Sequence, residues 1–234
     1  MPCGRKHHSA CFLYAGSRYF GRLNKLLLPV TTSAVPTVPY NGALYPPIAC
    51  SMIIYIHGFN SSSQSTKARQ LGDYLAARSM AYACPDLPHR PAEAIALLSG
   101  LIAAQPRASV KLIGSSLGGF YATWLADKFD VKAVLINPAV HVQNSLKTVL
   151  GPQKNYYSGE EYLLSQQHLD ELAALDQPAP LRPQNFLLLV ETGDEVLDYR
   201  DAVAYYAASR QIVVPGGDHG FQHFTQYIDT ILAF

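Results

Sequence analysis

The sequence predicts an α/β chain, with a mostly parallel sheet of about six strands flanked by helices. Two observations lead to it. From Met52 onward, short and almost wholly apolar runs alternate with longer stretches of helical character, the pattern of parallel strands joined by crossover helices. The chain is also 234 residues long, 49% hydrophobic and 15% charged, which is enough apolar mass for one core of ordinary size and too little charge for a disordered tail.

The strands are expected at residues 52–56, 82–84 (weak), 110–113, 131–136, 186–190 and 211–214. Several are apolar nearly throughout, as strands covered on both faces must be. Between them, residues 67–78 put Ala68, Leu71, Tyr74 and Leu75 on one helical face and Lys67, Gln70 and Asp73 elsewhere. Pro91 suits the first turn of a helix running over 92–104, and a helix over 117–128 follows a glycine turn. Helices over 199–208 and 221–234 close the pattern. Between Pro138 and Gln184 lie more than forty residues, too many for a plain crossover, with a helix expected over 160–175 and no convincing strand. This reads as a small helical insertion, about 139–184, lying over the strand ends like a lid.

Residues 1–51 form an N-terminal extension expected to be irregular or disordered. They show no sustained period, and Pro, Thr and small residues crowd positions 31–47. Arg5, Lys6, Arg18, Arg22 and Lys25 lie there without a single acid, so the body from residue 52 is mildly acidic although the formal charge of the chain is +1. That balance offers no nucleic-acid surface. Nor is a membrane span expected: the uncharged stretch from Leu26 to Thr66 is broken by Pro29, Pro36, Pro39, Pro46 and Pro47. The run 26–30 is too short for a secretory signal core, whereas the acid-poor start keeps a transit peptide open. Cys3, Cys11, Cys50 and Cys84 form no CxxC and no Cys/His ligand spacing, so no metal, no disulfide frame and a cytoplasmic location are expected.

The chemistry is carried by Gly114-Ser115-Ser116-Leu117-Gly118, a G-x-S-x-G sequence placed directly after an apolar strand and directly before a helix. A serine on such a turn is strained, and small residues two before and two after it avoid collision with the adjoining strand and helix. Ser116 is the candidate nucleophile, and the helix starting at Leu117 aims its unpaired N–H groups at the reacting centre. The bland alternative is a small-residue turn that packs or grips a phosphate. A G-x-G-x-x-G nucleotide fingerprint is absent from residues 114–119.

A serine hydroxyl needs a base and a group to orient that base. Asp194 follows the strand at 186–190, and His219 follows the strand at 211–214. The order Ser116, Asp194, His219, each beyond a different strand, is that of the α/β-hydrolase triad. His223 is a weaker candidate base, expected on the surface of the last helix. Asp198 could replace Asp194 but reads better as the N-cap of the helix from Tyr199. Asp218 adjoins the histidine and would have difficulty turning to orient it. His7, His8, His89, His141 and His168 have no such context and read as surface residues. The oxyanion donors are expected to be the backbone N–H groups of Leu117 and Phe59, with Asn60 as runner-up, because His57-Gly58-Phe59-Asn60 turns directly after the first body strand. His57 reads as structural, and Gly58 lets backbone approach the substrate.

Four runs carry a resemblance: Ile54-Tyr55-Ile56-His57-Gly58-Phe59-Asn60-Ser61-Ser62; Gly114-Ser115-Ser116-Leu117-Gly118-Gly119-Phe120-Tyr121-Ala122-Thr123-Trp124-Leu125; Asn137-Pro138-Ala139; and Thr192-Gly193-Asp194-Glu195-Val196-Leu197-Asp198-Tyr199-Arg200. Ala202 to Ala207 extends the match. From Met52 to the C-terminus the chain resembles the bacterial YqiA-type esterase family of small α/β hydrolases, and residues 1–51 have no counterpart in it. The resemblance implies hydrolysis of carboxylic esters or acyl-CoA thioesters, with Ser116, Asp194 and His219 at the matching positions and with no metal and no redox cofactor. Acyl transfer through the same three residues, and a noncatalytic binding module on the same scaffold, are the competing functions. Tyr156, Tyr157, Tyr162, Leu163 and Leu164 could wall an acyl pocket, or simply pack the insertion onto the core.

Overall fold

The computed structural model describes residues 52–234. The extension expected over 1–51, with Cys3, Cys11, Cys50, His7 and His8, lies outside the described residues. Among those described, the elements run β1 (Met52–Ile56), α1 (Thr66–Ala76), β2 (Tyr82–Ala83), α2 (Pro91–Ala103), β3 (Val110–Ser115), α3 (Leu117–Phe129) and β4 (Lys132–Ile136). They continue with α4 (Val142–Leu146), β5 (Gly151–Lys154), β6 (Glu161–Leu164), α5 (Gln166–Ala173), β7 (Phe186–Glu191), α6 (Tyr199–Tyr205), β8 (Arg210–Val214) and α7 (Phe224–Ala233).

Six strands form one sheet in the order β2-β1-β3-β4-β7-β8, every pair parallel. Alternation along each strand divides the core in two, because successive side chains point to opposite faces. Ile54, Ile56, Leu112, Leu135, Leu188 and Val190 pack under α2, α3 and α6. Their neighbours Ile53, Tyr55, Ile113, Ile136, Leu187 and Leu189 pack under α1 and α7. Burial of this kind contributes roughly 1.5–3 kcal/mol for each large aliphatic side chain. It also explains why the strands read as unbroken apolar runs.

The strands begin or end within two residues of expectation, and β3 and β7 run on to Ser115 and Glu191. The weak strand at 82–84 is a two-residue edge strand. The last helix begins at Phe224, three residues later than expected, because Phe221 takes a positive φ of 58° and His223 stands at the N-cap.

The insertion differs most from expectation. Besides α4 and α5 it holds an antiparallel hairpin, β5 with β6, where no strand was expected and where the helix was drawn from Glu160. Glu161-Tyr162-Leu163-Leu164 is a short apolar run that periodicity cannot assign. The hairpin turn decides it: Asn155 accepts through Oδ1 from the N–H groups of Tyr157 and Ser158, and Gly159 takes a φ of 73°. Ser165 then caps the shortened helix, its N–H donating to Nδ1 of His168.

Candidate active site

The carboxyl ends of β1, β3, β7 and β8 supply the groups that meet at one rim. β3 ends at Ser115, and Ser116 stands at φ 56°, ψ −124°, outside the regions open to a side-chain-bearing residue without strain. The motif's glycines show why the turn holds. A Cβ on Gly114 would lie 2.3 Å from the carbonyl oxygen of Gly118, and one on Gly118 would lie 2.0 Å from that of Ile56. Backbone occupies both places. The turn is locked by hydrogen bonds from Ser116 N–H to Ile136 O and from Gly119 N–H to Ser116 O, at 3.1 and 2.9 Å.

The structure brings the three residues singled out from sequence into a chain of hydrogen bonds. His219 Nδ1 lies 2.9 and 3.0 Å from the two carboxylate oxygens of Asp194, and His219 Nε2 lies 3.0 Å from Ser116 Oγ. A carboxylate only accepts, so the Nδ1 proton faces Asp194 and Nε2 presents its lone pair to the serine hydroxyl. Asp194 is nearly sealed from solvent, its side chain 2% exposed, and His219 is partly open at 22%. Burial works to raise the Asp194 carboxyl. The hydrogen bonds from His219 and from the N–H groups of Leu197 and Val196 outweigh it and hold the group below its ordinary range.

Gly58 brings the loop after β1 against the serine: a Cβ there would stand 3.1 Å from that of Ser116. The N–H of Leu117, first in α3, has no acceptor within its helix, and Phe59 follows Gly58 along the same wall. His57 is buried and turned away from the serine. Its Nε2 accepts from Leu87 N–H at 3.1 Å and its Nδ1–H donates to Gly58 O at 3.0 Å, so it braces the loop. Burial pushes its pKa down.

The remaining candidates separate cleanly. Asp198 caps α6, accepting from Arg200 N–H at 3.0 Å. Asp218 points to Gln222. Of the histidines expected at the surface, His141 bonds Asp176. His168 is a correction, for it is 3% exposed, lies 3.0 Å from Nδ1 of His89 and sits in a stack that includes Tyr162. His223 is another: it stands before the last helix and donates from Nδ1 to Glu191 at 2.7 Å.

A cleft of about 490 Å³ opens beside Ser116 and His219, with Phe59, Tyr156, Tyr157 and Lys67 on its walls. Lys67, expected on the polar face of its helix, reaches over the cleft and donates to Gly220 O at 2.7 Å. The hairpin is tied to the loop behind Phe59 by Tyr156 N–H to Asn60 O, Tyr162 Oη–H to Asn60 Oδ1 and Asn155 Nδ2–H to Ser61 O, all between 2.7 and 3.0 Å. Sequence reading missed three polar residues: Asn60 as this tie point, the buried Glu191, and Asn137, whose amide donates to the carbonyls of Asp218 and His219. The signal for Glu191 was a lone acid ending an apolar strand. Among the described residues no cluster of three or more His, Cys, Asp or Glu could hold a metal ion, and no helix is long and apolar enough to cross a membrane.

A parallel sheet of six strands with a strained serine between β3 and α3, an acid after β7 and a histidine after β8 defines an α/β-hydrolase fold. The chain belongs to the uncharacterised protein family UPF0227, the YqiA-like family, whose model matches residues 52–234. Solved structures agree on the fold. Est1E from Butyrivibrio proteoclasticus, solved with ferulic acid bound, matches with a TM-score of 0.65 at 14% identity, over 81% of this chain and 89% of that one. The esterase domain of a Rhodothermus marinus protein matches at 0.60 and 18%, over 79% and 85%. The alpha/beta hydrolase domain-containing protein 10 from mouse matches at 0.60 and 16%, over 77% and 88%.

Proposed function

We propose that the protein is a serine hydrolase that cleaves carboxylic esters or thioesters through an acyl-enzyme. Ser116 Oγ attacks the acyl carbon while His219 Nε2 takes its proton. The imidazolium, held by Asp194, passes that proton to the departing alcohol or thiol as the bond to the acyl carbon breaks. Water then repeats the cycle on the acyl-serine, releasing the acid and restoring the hydroxyl. The negative charge that develops on the acyl oxygen is stabilised by the N–H groups of Phe59 and Leu117, each worth roughly 2.7–4 kcal/mol at comparable sites.

The observation that carries the reading is the unbroken relay from Ser116 Oγ through His219 to Asp194, three contacts between 2.9 and 3.0 Å made by residues from three separate loops. The likeness to an esterase domain and to an enzyme solved with ferulic acid adds support for ester chemistry. The test is covalent labelling by a fluorophosphonate, followed by a panel of esters and acyl-CoA thioesters of graded acyl length. Labelling is expected at Ser116, with hydrolysis of at least one class. An unlabelled Ser116 in folded protein, with no substrate turned over, rejects the proposal.

A further inference from the structure

The relay described above depends on where one loop sits, and that loop rests on a carboxylate outside the relay. Glu191, the last residue of β7, has no exposure to solvent. Its Oε2 accepts from Asp218 N–H and Gln222 N–H, each at 2.9 Å. Its Oε1 accepts from His223 N–H at 3.0 Å and from His223 Nδ1–H at 2.7 Å. The backbone donors therefore lie on both sides of His219 along the chain. Glu191 N–H in turn donates to Asn137 Oδ1 at 2.9 Å, and the Asn137 amide donates to the carbonyls of Asp218 and His219.

A buried carboxylate without partners would cost several kcal/mol, and charge-assisted bonds from backbone N–H groups offset this better than neutral ones. Burial works to raise the Glu191 carboxyl, but its donors, His223 first, outweigh it and leave the group ionised at neutral pH. The fit is close. A Cβ on Gly217, at φ 72°, would lie 1.8 Å from Glu191 Oε2, so the loop descends onto the carboxylate with no room for a side chain. The titratable side chain in contact with this carboxylate is His223, and Lys67 faces it across the cleft wall together with Asp218 and Asp194.

We infer that Glu191 is a positioning residue, whose buried carboxylate gathers the backbone of Asp218, Gln222 and His223 and so fixes His219 within reach of Ser116. This rests on the proposed roles of Ser116 and His219. Uncharged acceptors could replace part of the set, but Glu191→Gln cannot keep it. In one orientation the amide turns its NH₂ toward the backbone N–H groups of Asp218 and Gln222; in the other it meets the backbone N–H of His223, whose imidazole can accept by moving its proton to Nε2. At least one backbone donor therefore loses its acceptor, and the loop is expected to shift. A displacement on the order of 1 Å at a reacting group costs about 10²-fold in rate.

The experiment compares wild type, Glu191→Gln and Gly217→Ala for kcat, KM and thermal unfolding, and follows the far-downfield proton resonance of the His219–Asp194 hydrogen bond. Glu191→Gln is expected to fold, to lose about 10²-fold in kcat with KM nearly unchanged, and to weaken or shift that resonance. Gly217→Ala adds one methyl group on the loop and should act the same way even where the buried substitution hinders folding. Folded variants that keep both wild-type kcat and the wild-type resonance overturn the inference. So does a loss of activity that only tracks the unfolded fraction. Ser116→Ala run alongside tests the underlying chemistry separately, and the resonance reports the hold on His219 whatever that control shows.

Discussion

The rim of the sheet and the insertion above it are built by different means. At the rim, backbone fixes two of the functional groups from close by: Ser116 by carbonyls that tolerate nothing larger than glycine at 114 and 118, and Asp194 by the N–H groups of Val196 and Leu197. The insertion leans on the domain through bonds between residues far apart in sequence, most of them from side chains, such as Tyr162 with Asn60, and leaves Tyr156 79% and Leu163 62% exposed. Chemistry should therefore reside in the rim, and the insertion should tune it. Substitutions in the two regions ought to differ by orders of magnitude.

The largest effect is expected at Ser116. Ser116→Ala should lower kcat by about 10⁶-fold, the loss seen when such a serine is removed elsewhere, with unfolding temperature little changed because only the hydroxyl is removed and the strained backbone keeps its Cβ. Steady-state kinetics beside a thermal melt decides it, and turnover near wild type would remove Ser116 from the mechanism. Next comes Asp194→Asn. Two N–H groups hold Oδ1, so the amide oxygen should take that place and its NH₂, at the place of Oδ2, should face His219 Nδ1. The imidazole must then carry its proton on Nε2, where it cannot accept from Ser116, and kcat should fall about 10⁴-fold with KM little changed. A loss below tenfold would assign the orienting role to another group.

These rim residues were legible in the sequence because their placement is local. G-x-S-x-G encodes a collision-free turn, and Asp194 and His219 each follow a recognisable apolar strand by a few residues. The strands were legible for a related reason: burial on both faces leaves no polar alternation to confuse the pattern. What escaped depends on contacts across the fold. His168 looks like any polar helical residue until His89, 79 positions earlier, is folded against it. Glu161 to Leu164 pairs as a strand because residues 151–154 return beside it, and nothing within the run announces that partner. Glu191 fell just beyond the strand expected over 186–190, and the loop it serves begins more than twenty residues later.

A smaller effect tests the join between the two regions. Tyr162→Phe removes the bond to Asn60 Oδ1 while keeping the ring stacked on His89. A single hydrogen bond contributes about 0.5–1.5 kcal/mol net, so kcat/KM should fall by less than about tenfold as the loop behind Phe59 loosens, with little change in unfolding temperature. A deficit as deep as that of Asp194→Asn would mean that the insertion supplies part of the chemistry, and that rim and insertion do not divide the work in this way.

The smallest effect separates the regions by pH. Burial lowers the pKa of His57 under the rim and of His168 under the insertion, so between each folded-state value and about 6.5 the unfolded chain binds more protons than the folded one. Stability contributed by keeping these rings neutral is present above about pH 6.5 and is lost as pH falls toward the folded values. Glu191 and Asp194, both held below their ordinary range, add a second loss further into acid, as pH falls below roughly 4 through their own folded values. Melting temperatures recorded downward from neutral pH should therefore decline in two stages. His57→Asn should lower the neutral plateau but reduce the first decline, since its ring no longer has to charge. His168→Asn should reduce that decline as well, because its ring is also buried, with His89 and Arg90 pressing its pKa further down. If both variants keep the full wild-type slope near pH 6, the groups that unfold the protein in mild acid lie elsewhere, and the bracing of the rim loop by a neutral His57 would have to be abandoned.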